Sequence, residues 1–163
     1  PQLLDRFGMV VDVQAETDVD RRVEIIERRL SYEKNPQSFC RKYTKAQREL
    51  REQILAAREI LPQVKAGKEL LRMSAELCIA CGTDGHRADI GMIKTARALA
   101  ALDGRKKAQK EDLEWAARYV LPHRMRKNPL ESGSLDQEQI EQIFAKSNAA
   151  NNKKEPKTAK EGD

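Results

Sequence analysis

The side chains best suited to chemistry in this sequence are three cysteines, two histidines and a few arginines set beside glycines or at predicted helix starts. Cys78-Ile79-Ala80-Cys81 is a C-x-x-C pair. A zinc site needs about four ligands. Beyond this pair only Cys40, His86 and His123 are candidates, and there is no second C-x-x-C. Both cysteines also fall on the apolar side of a predicted helix, where free thiols are commonly buried. They read as structural thiols, and no metal site is assigned. An odd cysteine count without secretory features suits a reducing compartment, so the expected location is cytoplasmic.

Neither His86 nor His123 stands near a Ser or Cys with an orienting carboxylate, so a hydrolytic triad cannot be argued. Gly67-Lys68-Glu69 has the glycine and lysine of a phosphate loop but neither the upstream glycine nor the following Ser or Thr, and no G-x-x-x-x-G-K-[ST] occurs in the chain. Arg87 follows Asp84-Gly85-His86 and falls in the first turn of a predicted helix. There its charge adds to the positive end of the helix dipole, a combination that favours a phosphate oxygen. An ordinary ion pair with Asp89 or another acid accounts for Arg87 at least as well. Arg6 lies in Leu3-Leu4-Asp5-Arg6-Phe7-Gly8, where flanking apolar residues would hold the segment while Asp5 and Arg6 emerge; a local Asp–Arg pair is the plainer reading. His123-Arg124-Met125-Arg126-Lys127 is a basic run at a predicted helix end, either solvated, where cations suit the dipole, or a subunit contact.

The elements that would position these groups are mainly α-helical. Aromatics make up only 4% of the 163 residues and charged residues 35%, a balance suited to amphipathic helices. Met9 to Val13 reads as a short strand buried on both faces; alone it lacks a sheet, so either its sheet lies in a missing part of the protein, of which this chain is expected to be a fragment, or the segment is frayed. Thr17 or Asp18 can cap a helix with the stripe Val19, Val23, Ile26 and Leu30. Asn35-Pro36 marks a break and restart. One long helix is predicted next, with Phe39, Tyr43, Ala46, Leu50, Ile54, Ala57 and Leu61 as a bundle seam ended by Pro62. A third helix runs from about Gly67 to Cys81, with Gly82 as its stop. A fourth, capped by Asp84 and rich in alanine, runs to about Asp103 and is expected to be central. A fifth covers Lys110 to Leu121. Ser134 and Gln137 suggest a capping box for a sixth, ending near Lys146. The tail from Ser147 is polar and expected to be disordered.

The net charge of +5 is spread along the chain and interleaved with acids. That pattern gives little support to nucleic acid as a partner. No apolar run approaches the ~20 residues of a membrane span, so no membrane association is expected.

Four segments, in register, resemble the I subunit of magnesium chelatase, a ring-forming AAA+ ATPase. Pro1-Gln2-Leu3-Leu4-Asp5-Arg6-Phe7-Gly8-Met9 looks like that family's arginine-finger segment. Asp84-Gly85-His86-Arg87-Ala88-Asp89-Ile90 looks like its sensor-2 motif, and Ala96-Arg97-Ala98-Leu99-Ala100-Ala101-Leu102 continues the helix. His123-Arg124-Met125-Arg126-Lys127-Asn128-Pro129-Leu130-Glu131 is similar to its closing motif. The resemblance implies a helical lid bundle of an AAA+ ATPase preceded by a short strand from an α/β core. Residues 1–14 would end the core, 15–131 form the lid, 132–146 an extra C-terminal helix and 147–163 the tail. It implies that Arg6 acts in trans on ATP held by a neighbouring subunit, that Arg87 touches the nucleotide from the lid, and that Asp5, Arg124 and Arg126 lie at a subunit interface. ATP and Mg²⁺ would be cofactors of the full-length protein, with none held by this segment alone, which is not expected to be active by itself. Implied partners are a homo-oligomeric ring and the D-type and H-type chelatase subunits, acting in magnesium insertion into a tetrapyrrole. Alternatives are the lid of a related chaperone-like ring with another client, or a non-enzymatic helical module binding nucleic acid or a partner. Three departures from the family pattern stand out. The family's upstream core with its Walker motifs is absent from this sequence. Gln109 replaces a Thr cap, which should weaken that helix start slightly, and a helix and tail follow the closing motif where the family usually ends.

Overall fold

A computed structural model describes residues 6–83 and 85–124. In chain order the helices are α1 (Val19–Lys34), α2 (Pro36–Lys42), α3 (Thr44–Ile60), a 3-10 turn (Leu61–Gln63), α4 (Lys68–Ala80), α5 (Arg87–Leu102) and α6 (Lys110–Val120). The mainly helical fold expected from the sequence is the one observed.

Local signals set most of the boundaries. The Asp18 carboxylate accepts from the Arg21 amide at 2.9 Å and starts α1. Asn35 ends α1, and its side chain accepts from Ser38 N at 2.9 Å to start α2, with Pro36 in the first helical position. α4 and α5 close identically. Gly82 (φ 62°) and Gly104 (φ 71°) take the left-handed conformation that a side chain would penalise. Behind each glycine, paired backbone bonds satisfy the last carbonyls: Gly82 N to Ile79 O with Thr83 N to Cys78 O, and Gly104 N to Ala101 O with Arg105 N to Ala100 O.

The core lies between α4, α5 and α6, with the end of α3 against it. Leu77, Met92 and Leu113 are fully buried, each contributing ~1.5–3 kcal/mol by burial. Ala88, Ala96 and Ala100 on α5 and Ala116 and Ala117 on α6 are wholly enclosed, and their small side chains let the two helices approach closely. The central, alanine-rich α5 expected from the sequence is therefore present. Two loops lock the bundle. Lys65 N donates to Lys106 O at 3.0 Å and Ala108 N to Lys65 O at 2.9 Å, a short parallel bridge between the α3–α4 and α5–α6 connections. Arg97 reaches back from α5 to the carbonyls of Val64 (2.8 Å) and Leu61 (3.2 Å).

The structure departs from the sequence reading in four places. The long helix predicted after Pro36 is two helices, broken at Tyr43. Its N–H turns to Cys40 O, an i−3 partner, as the ring packs on Phe39 (5.1 Å between centroids) and Phe39 meets Tyr32 of α1 edge-on at 5.7 Å. The Phe39–Tyr32 contact packs α2 against α1. The expected seam is also not closed among the described residues. Val19, Val23, Ile26 and Leu30 of α1 and Leu50 and Ile54 of α3 are exposed, and only Ala57 of α3 is buried. Their spacing is that of a packed face, but along the described chain the buried core begins only at Ala57. Met9 to Val13 forms no strand among the described residues; with no neighbouring edge to pair with, Val10 N donates instead to Tyr119 O at 2.8 Å. Finally, the start of α6 is not left weak by Gln109, because the Asp112 carboxylate turns back to accept from Gln109 N at 2.7 Å. Asp5, Asp84, Arg126, the closing motif beyond Arg124, the predicted sixth helix and the tail lie outside the described residues.

Candidate functional site

α5 begins at Arg87, after a turn through Gly82 and Gly85, both at positive φ. His86 occupies the cap position without a side-chain cap bond, and its Nδ1 lies 3.8 Å from the Asp89 carboxylate. Arg87 is exposed while Ala88 beside it is fully buried. The first turn thus fixes one face in the core and presents the guanidinium on the other, at the positive end of a 16-residue helix.

Arg6 is exposed at the start of the described chain. The residues after it are tied to the end of α6. His123 Nε2 lies 2.9 Å from Phe7 O. A carbonyl can only accept, so Nε2 carries the proton. Arg124 Nη2 donates to the same oxygen at 2.8 Å, and Arg124 Nη1 donates to Gly8 O (3.3 Å) and Val120 O (3.2 Å). Gly91, one turn beyond Arg87 on α5, sits under this cluster. A Cβ there would come within 3.2 Å of Val120 Cγ1 and 3.4 Å of Arg124 Nη1. The finger-like segment, the end of α6 and the first turns of α5 therefore meet at one end of the bundle.

Residues 71–143 match the AAA lid domain family. The chain is 40% identical over 153 residues to a magnesium-chelatase subunit ChlI homolog of Methanocaldococcus jannaschii, covering 94% of this chain and 42% of that protein. It is 45% identical over 135 residues to the magnesium-chelatase 38 kDa subunit of Rhodobacter capsulatus, covering 82% of this chain and 39% of that one. A solved structure from Cytophaga hutchinsonii shares the fold, with a TM-score of 0.65 at 21% identity over 89% of this chain and 47% of its own. The chain thus spans about two fifths of the length of the curated relatives it matches. The lid match runs to residue 143, past Glu131 at the end of the closing motif.

The lid's other candidate groups have structural settings. Cys78 and Cys81 are buried and Cys40 is exposed. Burial, helped by the nearby Asp89 charge, pushes the Cys78 thiol up to about 12, and burial also raises Cys81. Cys78 Sγ meets Met92 Sδ at 3.8 Å inside the core. Among the described residues no group of three or more His, Cys, Asp or Glu side chains could hold a metal. Nor is any described helix long and apolar enough to cross a membrane. Arg6 and Arg87, both exposed, are of a type that suits phosphate oxygens, which a guanidinium binds through paired donors.

The sequence reading missed the backbone anchoring by His123 and Arg124, treating them as a solvated helix end or a subunit contact. Gly91 was the available signal: an isolated glycine inside a helix usually marks a close approach.

Proposed function

We infer that this chain is the lid, with the adjoining finger segment, of a chelatase-type AAA+ ATPase, in which ATP binding and hydrolysis drive magnesium insertion into a tetrapyrrole. The observation that carries this reading is about 40% identity to magnesium-chelatase subunits across most of the chain, together with the AAA lid match. In this reading Arg87 is the sensor-2 residue, touching the nucleotide from the lid. Arg6 is the arginine finger, reaching ATP on the next subunit of a cytoplasmic homo-oligomeric ring that works with D-type and H-type chelatase subunits. ATP and Mg²⁺ would be held by the rest of the protein. What the described residues supply is two guanidinium groups for phosphate charge, and a finger of this kind contributes ~10³–10⁵ in rate.

A nucleic-acid role is disfavoured by how the surface charges pair. Arg28 bonds Glu24, Arg29 bonds Glu33 at 2.7 Å, and Arg72 bonds Glu76 at 3.0 Å, each four residues apart, so much of the helices' positive charge is met by adjacent acids.

The test is ATP turnover by the full-length protein with Arg87→Ala. A rate equal to the unaltered protein's removes the sensor role. The present chain alone is expected to show no ATP turnover, and mutation-sensitive hydrolysis by it would overturn the lid assignment.

A further inference from the structure

We propose that His123 and Arg124 are positioning residues for Arg6. They clamp the finger segment to the lid of the same subunit, so that movement of α5 and α6 is carried to the arginine acting at the neighbouring subunit's nucleotide. The proposal rests on the finger and sensor reading given above.

Four hydrogen bonds join residues 7–10 to residues 119–124: His123 and Arg124 to Phe7 O, Arg124 to Gly8 O, and Val10 N to Tyr119 O. The Phe7 carbonyl receives two donors, which uses both of its lone pairs. Only two soft dihedrals, φ and ψ of Phe7, separate that held carbonyl from the Cα of Arg6. The clamp therefore sets where Arg6 starts from. Arg124 is suited to this by its fork: one guanidinium spans two successive carbonyls and the end of α6 at Val120, which a single ammonium cannot do.

The other side of the clamp faces the sensor helix. Arg124 Nη1 packs over Gly91, where a Cβ would lie 3.4 Å from it, in ordinary contact, and a tighter 3.2 Å from Val120 Cγ1. Gly91 is four residues from Arg87, on the same face of α5. The path from Arg87 to Arg6 is thus one helical turn, one packed contact and a set of backbone hydrogen bonds. Closely packed contacts of this kind transmit small displacements instead of absorbing them.

The experiment uses the full-length protein assembled with ATP. Steady-state kcat and KM, and affinity for a fluorescent ATP analogue, are measured for Arg124→Ala, Arg124→Lys, His123→Ala, Arg6→Ala and Arg6→Ala with Arg124→Ala. Misplacing a reacting group by about 1 Å costs ~10²-fold. Arg124→Ala and Arg124→Lys are therefore expected to lower kcat by ~10–100-fold with ATP affinity within about threefold, and His123→Ala by less. Arg124→Lys keeps the aliphatic stem and the charge, so it carries the test if the alanine variant does not fold. In the Arg6→Ala background, Arg124→Ala is expected to cause no further loss, because it acts only through Arg6. A general structural defect would lower the rate by the same factor in both backgrounds, and that result would overturn the proposal. So would a kcat within about twofold of the unaltered protein for both Arg124 variants while Arg6→Ala is impaired. If Arg6→Ala itself leaves kcat unchanged, the finger reading fails, and the clamp proposal with it.

Discussion

Removing the Asp112 carboxylate should destabilise this chain more than any other single polar change in its described part. Asp112 is 5% exposed and makes three bonds, to Arg105 Nη1 (2.8 Å), Arg105 Nη2 (2.6 Å) and Gln109 N (2.7 Å). Arg105 is held in turn by Asp103 at 2.7 Å. Losing the cap of α6 costs ~1 kcal/mol. Breaking a buried pair costs ~3–5 kcal/mol, but the Arg105 side chain is 30% exposed, so water replaces part of that interaction. Asp112→Ala is therefore expected to cost about 2–4 kcal/mol, read by urea unfolding followed at a helix-sensitive wavelength. The pH dependence gives a second reading. Burial alone would raise the Asp112 pKa, but the Arg105 hydrogen bonds, the Gln109 amide and the Arg105 charge outweigh it and lower it. A carboxylate whose folded pKa is depressed contributes its stability above the unfolded value and loses it as pH falls through the folded value. The gap between the unaltered chain and Asp112→Asn should thus be full at pH 6–7 and close progressively below about pH 4. A loss under ~0.5 kcal/mol for Asp112→Ala, the scatter of ordinary surface changes, would show that this pair does not hold the α5–α6 connection.

Other expectations follow from the same packing. A thiol reagent should modify Cys40 rapidly in the folded chain, and Cys78 and Cys81 only after denaturant is added, since both are buried with raised pKa values; equal rates for all three would contradict the core. Ala100→Leu places extra volume in a fully enclosed α5 position and should cost ~1–3 kcal/mol by overpacking, measured as a shift of the urea midpoint. Leu30→Lys on the exposed face of α1, 60% exposed, should change the chain's stability by less than ~0.5 kcal/mol. A larger loss would mean that this face is covered in solution.

Much of this helical bundle could be read residue by residue, because the forces that set helix ends are local. Asp18, Asn35-Pro36, Gly82 and Gly104 act within a turn of themselves, so their positions in the sequence mark helix ends in the structure. The alanine-rich face of α5 was equally legible, since small residues at helical spacing serve close packing wherever the partner comes from. The same local pattern could not say whether an apolar stripe is covered. Val19, Val23, Ile26 and Leu30 have the spacing of a packed face and lie exposed, because burial depends on which distant segment arrives. The meeting of Tyr32 and Phe39 across α1 and α2 depends likewise on which elements come together.

The candidate site divides along the same line. The sequence alone singled out Arg6 and Arg87, by motif and by the place of Arg87 at a helix start. Only the tertiary structure brought the end of α6 across more than a hundred residues to the Phe7 and Gly8 carbonyls. A backbone carbonyl leaves no mark of its partner in the residue types around it. His123 and Arg124 therefore read as a solvated basic end until the fold placed those two oxygens within their reach.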